Sequence, residues 1–199
     1  MKIIGLTGSI ASGKSTIAQM FREIGLPVHD ADKTVHQLMN ASGKAVPLVL
    51  AAFGQNMSTR DGGIDRLALG RKVFSDPEAR ALLEAILHPL VYQERDKFLA
   101  VLRRARKPLA VLDVPLLLET GGNVWCDYVV SVWAPQRLLR QRAMQRAHMT
   151  DEKFTAILST QMPQSEKIRL SDLVLPTGLG RAESRRRLKK WIKKIKSKT

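Results

Sequence analysis

Ile3-Ile4-Gly5-Leu6-Thr7-Gly8-Ser9-Ile10-Ala11-Ser12-Gly13-Lys14-Ser15-Thr16 is the stretch that decides the fold. An apolar run reads as a buried strand. It ends in Gly8 and is followed by G-x-x-x-x-G-K-[ST], met at every fixed position by Gly8, Gly13, Lys14 and Ser15. The glycines let the backbone curl so that successive N–H groups point at phosphate oxygens. Lys14 offers a cation to the β- and γ-phosphates, and the Ser15 hydroxyl offers a ligand to Mg²⁺. The helical pattern that begins at Lys14 turns its positive end toward the same anion, and Gly25 stops it. Gly8, Ala11, Ser12, Gly13, Lys14, Ser15 and Thr16 are therefore the expected nucleoside triphosphate site.

Working outward, the chain alternates strands and helices. Residues 27–30 read as a second strand, 109–114 as a continuous buried run, 128–133 as another, and 173–175 as a weaker one. Helical patterns separate them, which implies an α/β domain with a parallel sheet. Residues 31–106 carry no convincing strand. Helices are expected at 45–53, 67–74, 77–86 and 89–106, the third opened by Asp76 as cap and Pro77 as first residue. The fold expected is a P-loop NTPase of three α/β/α layers. Its nucleotide-binding core is 1–30, 107–135 and 170–199, its inserted helical substrate domain is about 31–106, and its lid is about 136–165.

Composition agrees. Apolar residues make up 44% of 199, enough for one substantial core. No apolar run approaches the roughly 20 residues that cross a bilayer, and the start lacks a basic flank and cleavage site. Cys126, the one cysteine, is expected to pack as a small buried residue, and the features together point to the cytoplasm. The net charge of +15 is uneven: residues 1–135 carry +3 and 136–199 carry +12. Charge of this kind attracts nucleic acid, anionic membrane or phosphorylated small molecules, and cannot choose among them. In the tail, Leu188, Trp191, Ile192 and Ile195 form one apolar stripe, which reads as a helix packed on the sheet with a lysine-rich solvent face.

A phosphate loop does not say what happens to the phosphate. There is no Asn-Lys-x-Asp string, which disfavours a GTPase, and the chain is small for a motor ATPase. A kinase needs a base, a closed site and cations over the transferring group. Asp30 and Asp32 follow the second strand, at the sheet edge where α/β proteins bind ligands. They can divide the work of metal water-shell ligand and general base, or one of them can cap the helix that starts at Lys33. Asp113 ends the third strand, as a Walker B aspartate does. Arg137, Arg140, Arg142 and Arg146 follow Pro135 on a helix. Arg142 and Arg146 share one face, and Arg137 and Arg140 share another. An ATP-dependent nucleic-acid-binding regulator is the alternative that the basic tail suggests.

Beyond these readings, the chain resembles the dephospho-CoA kinase family over nearly its whole length. The resemblance rests on the phosphate loop, Asp30-Ala31-Asp32, Leu87-His88-Pro89-Leu90-Val91 and Asp113-Val114-Pro115-Leu116-Leu117-Leu118-Glu119. Cys126-Asp127, the Arg140/Arg146 spacing and Gln161 complete it. It implies that ATP phosphorylates the ribose 3′-hydroxyl of dephospho-CoA, with Mg²⁺ as cofactor. It implies Asp32 as base, Lys14 and Arg140 as catalytic partners, and Arg146 on ATP. Asp32, His88 and Leu116 fall on the acceptor side, and Ser15 on the metal, with Asp30 and Asp113 reaching it through water. The expected partners are these small molecules, not nucleic acid or a stable membrane contact, and a monomer is favoured. Ser9 and Ala11 stand where the family usually has glycine, Ala147 where it has an acid, and Thr177 where it has asparagine.

Overall fold

In a computed structural model, residues 1–197 are described; Lys198 and Thr199, counted above with the core, lie outside the described residues. The order is β1 (Lys2–Gly8), α1 (Lys14–Glu23), β2 (Val28–Asp30), α2 (Ala31–Met39), α3 (Val46–Phe53), α4 (Arg66–Ser75) and α5 (Pro77–Arg104). Then come β3 (Leu109–Asp113), β4 (Tyr128–Trp133), α6 (Gln136–Met144), α7 (Asp151–Ser159), α8 (Gln164–Arg169), β5 (Leu173–Pro176) and α9 (Arg181–Lys196). The five strands form one sheet in the order β2-β3-β1-β4-β5. β3 and β4 flank β1 in parallel, and β5 runs parallel to β4. Leu6 is level with Asp113 and Gly8 with Val132, so the central strands finish together at one edge.

The chain divides into two compact units, Met1–His29 with the chain from Leu102 onward, and Asp30–Val101. In the first, alternate strand residues point to opposite faces, as the strand period requires. Ile4, Leu6, Val111, Val130 and Val132 face α1 and α9, whose Ile17, Phe21, Leu188 and Ile192 complete the main core. Trp191 packs edge-on against Tyr128 at 5.6 Å, so the apolar stripe of the tail is indeed core. On the opposite face, a side chain on Gly5 would lie 2.4 Å from Leu117, which explains a glycine in mid-strand. Cys126 packs here beside Leu117 and is only half-buried.

The second unit is helical, with one isolated antiparallel bridge between Ser58 and Ile64. Its core gathers Leu38, Val49, Phe53, Met57, Leu69 and Leu87. One expectation fails here. The break between 86 and 89 does not occur, and α5 is a single helix of 28 residues with Pro89 inside it. Proline removes one backbone donor and crowds the preceding turn, at about 3 kcal/mol. Leu83, Ile86, Leu87, Leu90 and Val91 pack on the same core from both sides of it, and burial at roughly 1.5–3 kcal/mol per large apolar side chain outweighs that cost.

Candidate active site

β1 delivers the chain to the sheet edge, and the phosphate loop fills the gap before α1. A side chain on Gly8 would lie 2.9 Å from the Val132 carbonyl oxygen, so only glycine fits. Gly13 has φ 91 and Ala11 φ 58, both left-handed. Glycine takes that conformation freely, but alanine does so at a cost. Ser12 N donates to Ser9 O at 3.0 Å, closing the loop on itself. The first turn of α1 contains no acid, so its positive end is left for an anion.

Lys14 and Asp113 meet across the sheet edge. Lys14 Nζ lies 2.5 Å from Asp113 Oδ1, and Asp113 is only 3% exposed. The register that sets Leu6 beside Asp113 makes this contact possible. The acid at the end of β3 therefore holds the loop lysine.

A cleft beside the loop is lined by Ala11, Gly13, Ser15 and Thr16 together with Arg142, Arg146 and Thr177. Arg142 Nη1 donates to Thr177 Oγ1 at 2.9 Å and to Ser12 O at 3.4 Å, and Nη2 donates to Thr177 O at 3.0 Å. Thr177 Oγ1 in turn donates to Ser12 O at 2.6 Å. Thr177 thus ties the end of β5 to the phosphate loop, and the two arginines four apart face one cleft.

Arg140 is placed differently. Its guanidinium makes a bidentate pair with Asp151, Nε to Oδ1 at 2.7 Å and Nη2 to Oδ2 at 2.6 Å. Both side chains are at least half exposed. The Arg140 hydrogen bond holds the Asp151 carboxyl below its ordinary range. Arg140 is not among the residues that line the cleft. The family resemblance singled out Arg140 and Arg146, and the cleft sets Arg142 beside Arg146; α6 ends at Met144, so Arg146 lies just beyond the helix on which all four arginines were expected. Thr177 was singled out as a departure, and its link to Arg142 was not foreseen.

In the second unit, Asp30 Oδ1 accepts from Lys33 N at 3.0 Å and caps α2. The capping role that either acid could have taken falls to Asp30, and Asp32 sits in the first turn of α2. His88 stacks on Tyr92 at 5.9 Å, one turn along α5. In the first unit, Leu116 is partly exposed, and its carbonyl accepts from Thr120 N at 3.0 Å. Among the described residues there is no cluster of three His, Cys, Asp or Glu able to hold a metal ion. A metal here would be held mostly by the nucleotide's phosphates, with Ser15 as the protein ligand.

A phosphate loop at the edge of a parallel sheet, with a buried acid on its lysine and two arginines beside it, defines a P-loop kinase. The dephospho-CoA kinase family profile matches residues 2–180. A dephospho-CoA kinase of Mesorhizobium japonicum is 52% identical over 180 residues, covering 90% of this chain and 89% of the relative. A crystal structure from Thermus thermophilus superposes with a TM-score of 0.79 at 34% identity, covering 96% of this chain and 95% of that one. A dephospho-CoA kinase from Campylobacter jejuni does so with a TM-score of 0.66 at 26% identity, covering 98% and 97%. The chain belongs to the dephospho-CoA kinase family. It is a kinase, a transferase that uses ATP, as a class generally with a divalent metal. No helix among the described residues is long and apolar enough to cross a membrane.

Proposed function

We propose that this chain transfers the γ-phosphoryl group of ATP to the ribose 3′-hydroxyl of dephospho-CoA, giving coenzyme A and ADP. The observation that carries the reading is the phosphate loop with Lys14 held on the buried Asp113, in a chain of this family. The acceptor oxygen attacks the γ-phosphorus, the bond to the bridging oxygen breaks, ADP leaves, and the hydroxyl proton goes to a base. Asp32 is that base. Its neighbour Asp30 is engaged at the head of α2, and Asp32 follows in the first turn of that helix.

Lys14 and the loop amides neutralise the charge that spreads over the phosphoryl oxygens. Arg142 and Arg146 add cations from the cleft. Ser15 would hold a Mg²⁺ ion that comes with ATP, with Asp113 and Asp30 toward its water shell, and the ion would supply positive charge against the phosphates. His88 and Leu116 shape the acceptor side, residues 31–106 form the CoA-binding domain, and about 136–165 form the lid. The enzyme works as a cytoplasmic monomer on small molecules. The +12 charge of residues 136–199 steers polyanionic substrates and needs no nucleic acid.

Asp32→Asn tests the assignment of the base. Removing a general base lowers kcat by roughly 10²–10⁴-fold, while KM for ATP should stay within a few-fold. A variant with the wild-type kcat removes Asp32 from that role.

A further inference from the structure

Gln161 is a residue that the chemistry above does not use. It follows α7, and its Oε1 accepts the N–H of Ile10, inside the phosphate loop, at 3.0 Å. The next residue of the loop is Ala11 with its left-handed φ of 58. Gln161 therefore grips the loop one residue before its strained turn.

The grip is itself anchored. Met162 N, the neighbouring amide, donates to Glu119 Oε1 at 3.0 Å. The same oxygen lies 2.6 Å from Lys167 Nζ, in a pair whose side chains are 3% and 14% exposed for Lys167 and Glu119. Lys167 belongs to α8, and its carbonyl accepts from Ser171 Oγ at 2.5 Å and Ser131 Oγ at 3.4 Å. Ser131 is part of β4. One continuous path thus runs from the central sheet through Lys167, Glu119 and the 161–162 backbone to the phosphate loop. Desolvating two charges makes a buried ion pair poor value as a source of stability, since apolar replacements often do as well. What such a pair supplies is a fixed position.

We propose that Gln161 is a positioning residue for phosphoryl transfer, clasping the phosphate loop at Ile10 and held to the sheet by Glu119 and Lys167. The clasp fixes the loop at the base of the α6–α7 segment. Misplacing a phosphate-binding loop by a fraction of an ångström costs rate more than affinity, because the reacting groups must be aligned. The inference rests on the kinase reading above.

The test uses the full chain and three variants: Gln161→Met, which keeps length and loses the acceptor, Glu119→Gln, and the two together. Melting temperature, Mg-ADP affinity by calorimetry, and kcat and KM with ATP and dephospho-CoA are measured on each. Gln161→Met is expected to melt within a few degrees of wild type and to lose about tenfold in kcat, with KM for dephospho-CoA changed less than about twofold. The double variant should be no slower than the slower single variant, since both act through one clasp. A Gln161→Met kcat within twofold of wild type, or a loss matched by collapse of the melting temperature, overturns the proposal. Losses that multiply in the double variant overturn the part given to Glu119. If the wild-type chain shows no turnover with dephospho-CoA, the kinase reading fails instead. The clasp is then judged on Mg-ADP affinity, which Gln161→Met should weaken at least threefold and which, if unchanged, refutes it.

Discussion

Arg142→Met distinguishes the arginine that lines the cleft beside the phosphate loop from Arg140, which the family resemblance favours. Arg142 donates at 2.9 and 3.0 Å to Thr177, and more weakly, at 3.4 Å, to Ser12 O. Hydrogen bonds from a charged group are worth roughly 1.5–3 kcal/mol each. Those bonds hold the guanidinium at the cleft; against a polyphosphate, one such charged donor contributes about 2 kcal/mol. At 1.4 kcal/mol per factor of ten, its loss is about thirtyfold in kcat/KM for ATP. Methionine keeps much of the stem's volume, so packing should survive. Arg140→Met removes only a solvent-exposed pair with Asp151, and such pairs contribute little in water. It should change kcat/KM by threefold or less. Steady-state ADP release at saturating dephospho-CoA and varied ATP reads both variants. If Arg142→Met stays within threefold while Arg140→Met falls a hundredfold, the assignment is reversed and the reasoning from the cleft is refuted.

Ala11→Gly is expected to be nearly neutral in stability. It relieves a left-handed alanine at φ 58, worth about 1–2 kcal/mol. It loses a methyl that packs beside Leu139 and Phe154, about 0.8 kcal/mol, and loosens the unfolded chain by about 0.4–1 kcal/mol. Differential scanning should find the melting temperature within about 4 °C of wild type, and a drop of twice that would show that the strain account is wrong. Glu183 supplies a pH test, because its hydrogen bonds from Arg186 and Arg187 hold its carboxyl down at about 2, against an ordinary 4.5. Its contribution is therefore present above about pH 4.5 and fades as pH falls toward about 2. The stability gap between wild type and Glu183→Gln should close over that window, and a gap independent of pH refutes the pairing.

Much of this was legible along the chain because it is local. A strand ending in Gly8, a loop closing at Gly13 and a helix opening at Lys14 each leave a signature within a few residues, and the strand-helix alternation follows from period alone. Pro89 was misread because a propensity rule looks at the turn, whereas the apolar stripe on both sides of it decides the outcome. The site divided along the same line. Lys14 and Asp113 lie 99 residues apart yet were both marked, since each has its own motif. Arg142 with Thr177, and Gln161 with Ile10, are paired only by the fold. Nothing in their neighbourhoods announces the partner. Residue type and spacing left Asp30 and Asp32 equivalent and only the resemblance favoured Asp32 as base; the hydrogen bond from Lys33 N shows which of the two caps α2.

The central claim is the reaction. The most direct measurement is ADP release by the wild-type chain with Mg-ATP, offering dephospho-CoA in parallel with adenosine, AMP and shikimate, and identifying the product as coenzyme A by mass. The account predicts turnover with dephospho-CoA alone and a product phosphorylated on the ribose 3′-hydroxyl. Turnover with another acceptor in preference, or none with dephospho-CoA, would contradict it.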